Sequence, residues 1–435
     1  MLDLIIKNGQ CYINGELKNV DVSVKDGKIQ SIGKITEEAK DIIDAKGLTV
    51  LPGCIDTQTH FREPGSTDTE DLHSGSRAAI AGGITAVFEM PNTNPPTSTK
   101  KEFQKKLDLA KNRMYCNYAF YFGATADNAN ELADLKNLEG CCGIKLFAGS
   151  STGNLLVAEE KDIETVFKNS SKVVAVHSED EEILNINKKL IKDGDVHSHP
   201  IWRSVECAMS STRRIVRIAE KHSKKAHVLH ITTKEEVDFL SQHKGNITFE
   251  ITPQHLTIYA PDCYDKLGTY AQMNPPIRDK SHYDRLWYAV KNNLNDTIGS
   301  DHAPHLKVNK DKKYPNSPSG MPGVQTLMPV MLNHVNDGKL SLNQLINLVC
   351  ENPVKIFGIK NKGSIREGYD ADFTIVDMNK KIVIKNENIE SKCGWSPFNG
   401  FEFKGTPVST IIAGKIKMQD GKIIGDPEGT PLEFS

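Results

Sequence analysis

The sequence predicts an α/β protein: a (β/α)8, TIM-like barrel joined to a small β-sandwich formed by both chain termini. Three observations predict it. From about residue 53 to 359, short apolar runs alternate with amphipathic stretches, the pattern of parallel strands joined by right-handed helical crossovers. Side chains able to do chemistry fall at the ends of those runs, as they do at the carboxyl face of a closed barrel. The two chain ends instead carry short period-two runs broken by turn dipeptides.

Residues 1–52 hold the turn signals Asn8-Gly9, Asn14-Gly15 and Asp26-Gly27. Val20-Asp-Val-Ser-Val24 alternates with period two. So small a β unit cannot bury its apolar face unaided. Residues 360–435 supply a partner of the same character in Ala371–Asp377 and Ser409–Met418. The expected division is therefore 1–52 with 360–435 as one composite sandwich, and 53–359 as an inserted barrel.

Within the barrel, strands are expected around Leu51–Ile55, Ile84–Met90, Tyr115–Phe122, Gly143–Phe147, Val173–His177, Ala226–Ile231, Ile247–Ile251 and Asp296–Ser300. Helices are expected near Ser74–Ala81, at Lys100–Asn112 behind a Thr99/Glu102 capping box, and at Glu206–His222. An open doubly wound sheet would fit the alternation as well. It would gather polar residues at one switch point. Here His60, Asn92, Lys145, His177, His230 and Asp301 end different strands.

Bulk properties narrow the function. The chain has 435 residues, 38% hydrophobic and 25% charged, with a formal net charge of −2. That length suffices for one large core and a smaller one. The charge gives no electrostatic basis for binding nucleic acid or membrane. No apolar run reaches membrane-spanning length, and Met1-Leu-Asp-Leu is not the start of a signal peptide. Nine scattered cysteines without a Cys-x-x-Cys motif suit free thiols in a reducing cytoplasm.

Two segments stand out. Asp56-Thr-Gln-Thr-His60-Phe-Arg62-Glu-Pro-Gly65 ends the first barrel strand, and Met90-Pro-Asn-Thr93 ends the second. The pair resembles the dihydroorotases of the amidohydrolase superfamily. One position departs: Gln58 stands where the family's Asp-x-His-x-His strand end has its first histidine.

The resemblance implies reversible hydrolysis of the cyclic amide of dihydroorotate to N-carbamoyl-aspartate, a step of pyrimidine biosynthesis. It implies one or two Zn2+ per chain, held by His60, Lys145, His177, His230 and Asp301. Lys145, in Gly143-Ile-Lys-Leu-Phe147, would carry CO2 as a bridging carbamate; otherwise it is a lysine snorkelling to the rim. Gln58 is a weak candidate ligand, because an amide oxygen binds zinc less well than imidazole. The first ion position is therefore expected to be weakened.

Asp301, in Ile298-Gly-Ser-Asp301-His-Ala-Pro-His305, is implied as both ligand and proton carrier. Arg62 offers a planar fork for a carboxylate, which Asn92 and His305 complete. Asn274, in Met273-Asn-Pro-Pro, and the backbone of Gly320-Met-Pro-Gly323 would face the ring. Ser151 and Thr152 follow Lys145 in a glycine-bounded stretch, either a lid over the substrate or a plain surface loop. His227 and His255 are not expected as ligands. Lys307–Lys313 reads as a solvated loop.

The substrate expected is a small molecule, and the partners are a second copy of the chain and aspartate transcarbamoylase. Two other readings remain open at this point. One is another cyclic amidase, an allantoinase or hydantoinase. The other is a non-catalytic homologue that serves aspartate transcarbamoylase as a partner.

Overall fold

The computed structural model describes residues 1–151 and 155–435. Eight parallel strands form one sheet in sequence order. They are β1 (Cys54–Thr59), β2 (Ile84–Glu89), β3 (Asn117–Gly123), β4 (Cys141–Phe147), β5 (Val174–His177), β6 (Ala226–Val228), β7 (Ile247–Ile251) and β8 (Thr297–Ile298). A parallel bridge between Thr59 and His302 links the last strand region to the first and closes the ring. The fold class is thus the barrel, not the open sheet.

Every residue of β1 to β4 is buried, because helices cover one face and the barrel interior fills the other. Inside, Ile55, Phe88, Tyr121, Ala175 and Leu229 pack with Phe357, Ile359 and Leu432. The last three come from beyond β8, so the helix end at Phe357 and the returning C-terminus both contribute to this interior cluster. Leu432 N donates to Tyr118 O at 2.8 Å, which fixes the tail against β3.

Local capping decides where the helices start. The first begins at Leu72, two residues before the expected Ser74, because the Asp71 carboxylate accepts from Ser74 N and Ser74 caps back. Thr99 Oγ1 accepts from Glu102 N at 3.1 Å, but only this half of the expected box is recorded. Ser204 caps Val205–Lys221, whose buried face runs through Cys207, Ser211, Ile215 and Ala219.

Two further sheets build the sandwich. One has four strands, Leu2–Lys7 lying between Asp21–Lys25 and Ala39–Asp44. The other has seven, in which Thr49–Pro52 from the front of the chain pairs antiparallel with Phe373–Val383 from the back. Leu4, Ile6, Val22 and Val24 of the first sheet meet Val50, Phe373, Ile375 and Ile411 of the second in one apolar cluster. Between Phe373–Val383 and Glu402–Ile412 the chain leaves this sandwich for the barrel top. There Ser391 Oγ donates to Glu70, and Trp395 Nε1 donates to His305 O at 2.7 Å. All nine cysteines are free and buried. Among the described residues, no helix is long and apolar enough to cross a membrane.

Candidate active site

The carboxyl ends of the barrel strands surround a pocket with an empty volume of about 370 Å3. Gln58, His60, Arg62, Asn92, Lys145, Ser151, His177, His230, Asn274 and Asp301 all line it. All ten are named as site residues from their strand-end positions together with the resemblance. His305 does not line it; its Nε2 lies 3.4 Å from Arg62 Nη2. Thr152 lies outside the described residues.

Three of these residues are held in left-handed backbone: Arg62 at φ 62°, His230 at 39° and Asp301 at 44°. Such a conformation costs a branched or long side chain of order 1–3 kcal/mol and persists where the surroundings over-determine it. His230 and Asp301 lie just past β6 and β8, which are shorter than expected. The backbone turn swings both side chains over the barrel mouth.

On the β1 side, His60 Nδ1 pairs with Asn92 Oδ1 at 2.8 Å and His60 Nε2 stands 3.2 Å from Asp301 Oδ1. Gln58 Nε2 donates to the same Asp301 oxygen at 3.0 Å. Burial holds His60 well below its ordinary pKa, so the ring is neutral. His60 Nε2 and Gln58 Nε2 thus converge on one Asp301 oxygen. The other end of Gln58, Oε1, is buried with no partner among the described residues.

On the far side, His177 Nε2 donates to Glu179 Oε2 at 2.8 Å, which leaves the His177 Nδ1 lone pair 3.1 Å from His230 Nε2. Burial lowers the pKa of both rings. His230 Nδ1 is likewise buried without a partner among the described residues. Glu179 is fully buried. Desolvation pushes its carboxyl up, but the Arg203 guanidinium and His177 outweigh this and hold it far below the usual range. Arg203 Nε donates to Glu179 Oε1 at 3.1 Å, and Arg203 Nη2 donates to Ser150 O at 2.7 Å.

Lys145 connects the two sides. Its charge acts on His60, His177, His230 and Asp301 alike. It is 1% exposed, with Nζ 4.5 Å from the Phe147 ring centre. Burial pushes its pKa down to about 7, against the pull of Asp301 and Glu250. Burial also raises Asp301 to about 7, while Lys145 and His177 hold it down.

This donor set fits a cation. Neutral imidazoles are the form that binds metal. Two nitrogens on one tetrahedral zinc stand roughly 3.3 Å apart; those of His177 and His230 are 3.1 Å apart. Among the described residues, no three His, Cys, Asp or Glu side chains suffice by themselves. Lys145, as an amine, repels a cation there; a carboxyl group on it would supply a further oxygen donor.

Arg62, expected to grip a carboxylate, packs against the loop after Asp301. Arg62 is buried, and burial lowers it to about 10, so it stays charged at neutral pH. Its Nε donates to Pro304 O at 3.3 Å, and its Nη2 stands 3.4 Å from His305 Nε2. His305 Nε2 is 3.0 Å from Ser319 O, and this shorter contact is the hydrogen bond. Asn274 Oδ1 accepts from His199 Nε2 at 3.1 Å. His227 sits deep in the barrel, on Thr248 and Thr297. His255 is held by Thr252 and Pro275.

Sequence reasoning missed Glu179 and Arg203. The only signal was Ser178-Glu179-Asp180 directly after His177, where an acid two residues on can turn back to the ring. Glu179→Gln is expected to weaken zinc binding about tenfold, as loss of a partner that orients a ligand does. Competition with a coloured chelator measures it; unchanged affinity would remove Glu179 from the centre.

Comparison with known proteins identifies the family and the fold. Residues 49–417 match the model of the amidohydrolase family. A dihydroorotase of Methanosarcina mazei is 35% identical over 98% of this chain and 96% of its own. A dihydroorotase of Pyrococcus furiosus is 34% identical over 94% of this chain and 91% of its own. Among solved structures, an L-hydantoinase (dihydropyrimidinase) from Arthrobacter aurescens superposes with a TM-score of 0.94 at 30% identity over 99% of both chains. A D-hydantoinase superposes at 0.91 with 28% identity, covering 100% of this chain and 99% of that one. The chain belongs to the amidohydrolase family and, within it, to the dihydroorotases.

Proposed function

We propose that this enzyme interconverts (S)-dihydroorotate and N-carbamoyl-L-aspartate by metal-dependent hydrolysis of the ring amide. The observation that carries the proposal is one pocket that pairs a set of lone-pair donors around Lys145 with the buried Arg62 guanidinium. A ring that brings a carboxylate to Arg62 presents its amide to that donor set.

His177, His230, His60, Asp301 and a carboxylated Lys145 would hold Zn2+, the cation that imidazole and carboxylate suit. When bound, the cation lowers the pKa of water and polarises the ring carbonyl. The remaining work falls to the chain. Arg62, flanked by Asn92 and His305, fixes the substrate carboxylate before chemistry begins. Asp301, at the end of the eighth strand and over the pocket, takes the proton from the attacking water and gives it to the ring nitrogen as the C–N bond breaks. Ring closure returns that proton by the same route. Ser151 lines the pocket and is positioned to meet the substrate; Thr152 belongs to the same proposal.

Of two ion positions, the one beside Gln58 is the weaker. Gln58 gives Asp301 an N–H in place of a lone pair, and an amide oxygen is a poor zinc ligand. Gln58→His is expected to raise bound zinc from about one to about two per chain, because imidazole is the stronger zinc ligand. Elemental analysis reads this directly, and unchanged stoichiometry would count against it.

The structural likeness to hydantoinases keeps a second substrate class in view. Assaying dihydroorotate beside hydantoin and allantoin separates the two: the clamp requires the carboxylate-bearing ring to be preferred. Preference for either of the other two would overturn the assignment. The nine free thiols support a cytoplasmic setting. A homodimer is the assembly that the resemblance implies. Association with aspartate transcarbamoylase completes the proposal, and light scattering of the chain alone and of the mixture tests both.

A further inference from the structure

The stretch Lys307–Lys313, expected as a solvated loop, is not one at its centre. Lys310 is completely buried. Its Nζ donates to Pro318 O at 2.8 Å, Gly320 O at 3.1 Å and Gln272 O at 3.2 Å. The ammonium also stands 5.8 Å from the centre of the Trp395 ring. Burial brings its pKa down to about 7, and no salt bridge to Lys310 is found among the described residues. Three carbonyl oxygens can only accept, and they favour the protonated form.

Those carbonyls belong to two walls of the candidate active site. Gln272 lies two residues before Asn274, and Gly320 follows Ser319; Asn274, Ser319 and Gly320 all line the pocket. The walls are stitched together near the lysine. Gly320 N donates to Gln272 O at 2.9 Å, and Gln272 Nε2 donates to Ser317 O and Ser319 Oγ, each at 3.0 Å. Gly320 has φ +143°, and a Cβ there would fall 2.5 Å from Ala303 O and 2.9 Å from His305 Nε2. The segment is therefore pressed against the loop that follows Asp301, with no slack. Burying an ammonium is costly, and only its hydrogen bonds offset that cost here. A lysine that served only to fill space would be replaced at no loss by an apolar side chain.

We propose that Lys310 is a positioning residue: its ammonium ties the Gln272 and Pro318–Gly320 walls together at the separation that seats a small, carboxylate-bearing ring against Arg62 and His305. This rests on the functional proposal above. It assigns Lys310 to substrate seating and not to metal binding or proton transfer, since Lys310 touches neither Asp301 nor any candidate ligand.

Lys310→Met keeps the length and removes the donors. For dihydroorotate, KM is expected to rise at least about tenfold with kcat held within about threefold, the signature of lost uniform binding. Zinc content should match wild type. Lys310→Gln retains an N–H pair and is expected to fall between Met and wild type in KM. Wild-type KM in folded Lys310→Met would overturn the proposal, as would kcat and zinc content falling together. If Lys310→Met does not fold, Lys310→Gln decides: a raised KM with kcat held supports the proposal, and an unchanged KM overturns it. Absence of dihydroorotate turnover in the wild-type chain would instead defeat the functional proposal before either variant is compared.

Discussion

Asp301→Asn is expected to lower kcat by about 10^3-fold or more, with the fold intact. General acid–base catalysis contributes about 10^2 to 10^4 by itself, and Asp301 is also a candidate ligand, so two losses combine. The structure makes this substitution a clean one. Asp301 Oδ1 meets Gln58 Nε2 at 3.0 Å and His60 Nε2 at 3.2 Å. An asparagine oxygen can keep the first contact, and the volume is unchanged. What disappears is the carboxylate that can carry the proton and donate to a cation. Steady-state rates with circular dichroism of the same sample measure both halves. Turnover within tenfold of wild type would show that the proton moves through another residue.

Replacement of Lys145 should be as severe, for a different reason. Lys145→Ala and Lys145→Arg are both expected to lose bound zinc and more than about 10^3-fold in kcat/KM, the scale of a lost electrostatic centre. Arginine tests the point because it keeps the positive charge that the ordinary amine would carry. If Lys145 served only as a cation, Arg would rescue it; if it serves as a carboxylated ligand, Arg fails as completely as Ala. An amine brought down to about 7 by burial has the free lone pair that reacts with CO2. Zinc content near wild type in Lys145→Arg would contradict the assignment.

Much of this arrangement is legible in the sequence, because a barrel strand is buried on both faces and its chemistry has nowhere to go but its end. His177 directly follows the apolar run Val173-Val-Ala-Val176, while His60 and Lys145 stand out by their motifs, Asp56-Thr-Gln-Thr-His60 and Gly143-Ile-Lys145, at the ends of expected strands. His230 and Asp301 are harder. Strands β6 and β8 are three and two residues long, and the side chains reach the pocket through left-handed backbone that no residue type announces. Glu179 and Arg203 were not legible as a pair, since their contact spans a helix and is fixed only by burial. Lys310 reads as solvated because its neighbours are charged. It is buried because Trp395, far along the chain, leaves the sandwich to cover it. Gln58 is the reverse case: the sequence shows the departure, and only the structure shows that its amide is spent on Asp301.

The most direct test strips the purified chain of metal, returns zinc in steps, and records bound zinc and dihydroorotate turnover on the same samples. Turnover should be absent without metal, rise in proportion to bound zinc, and level off at about one ion per chain, the stoichiometry set by one strong donor set. Full turnover in the metal-free chain, or zinc that binds stoichiometrically without restoring any, would contradict the account.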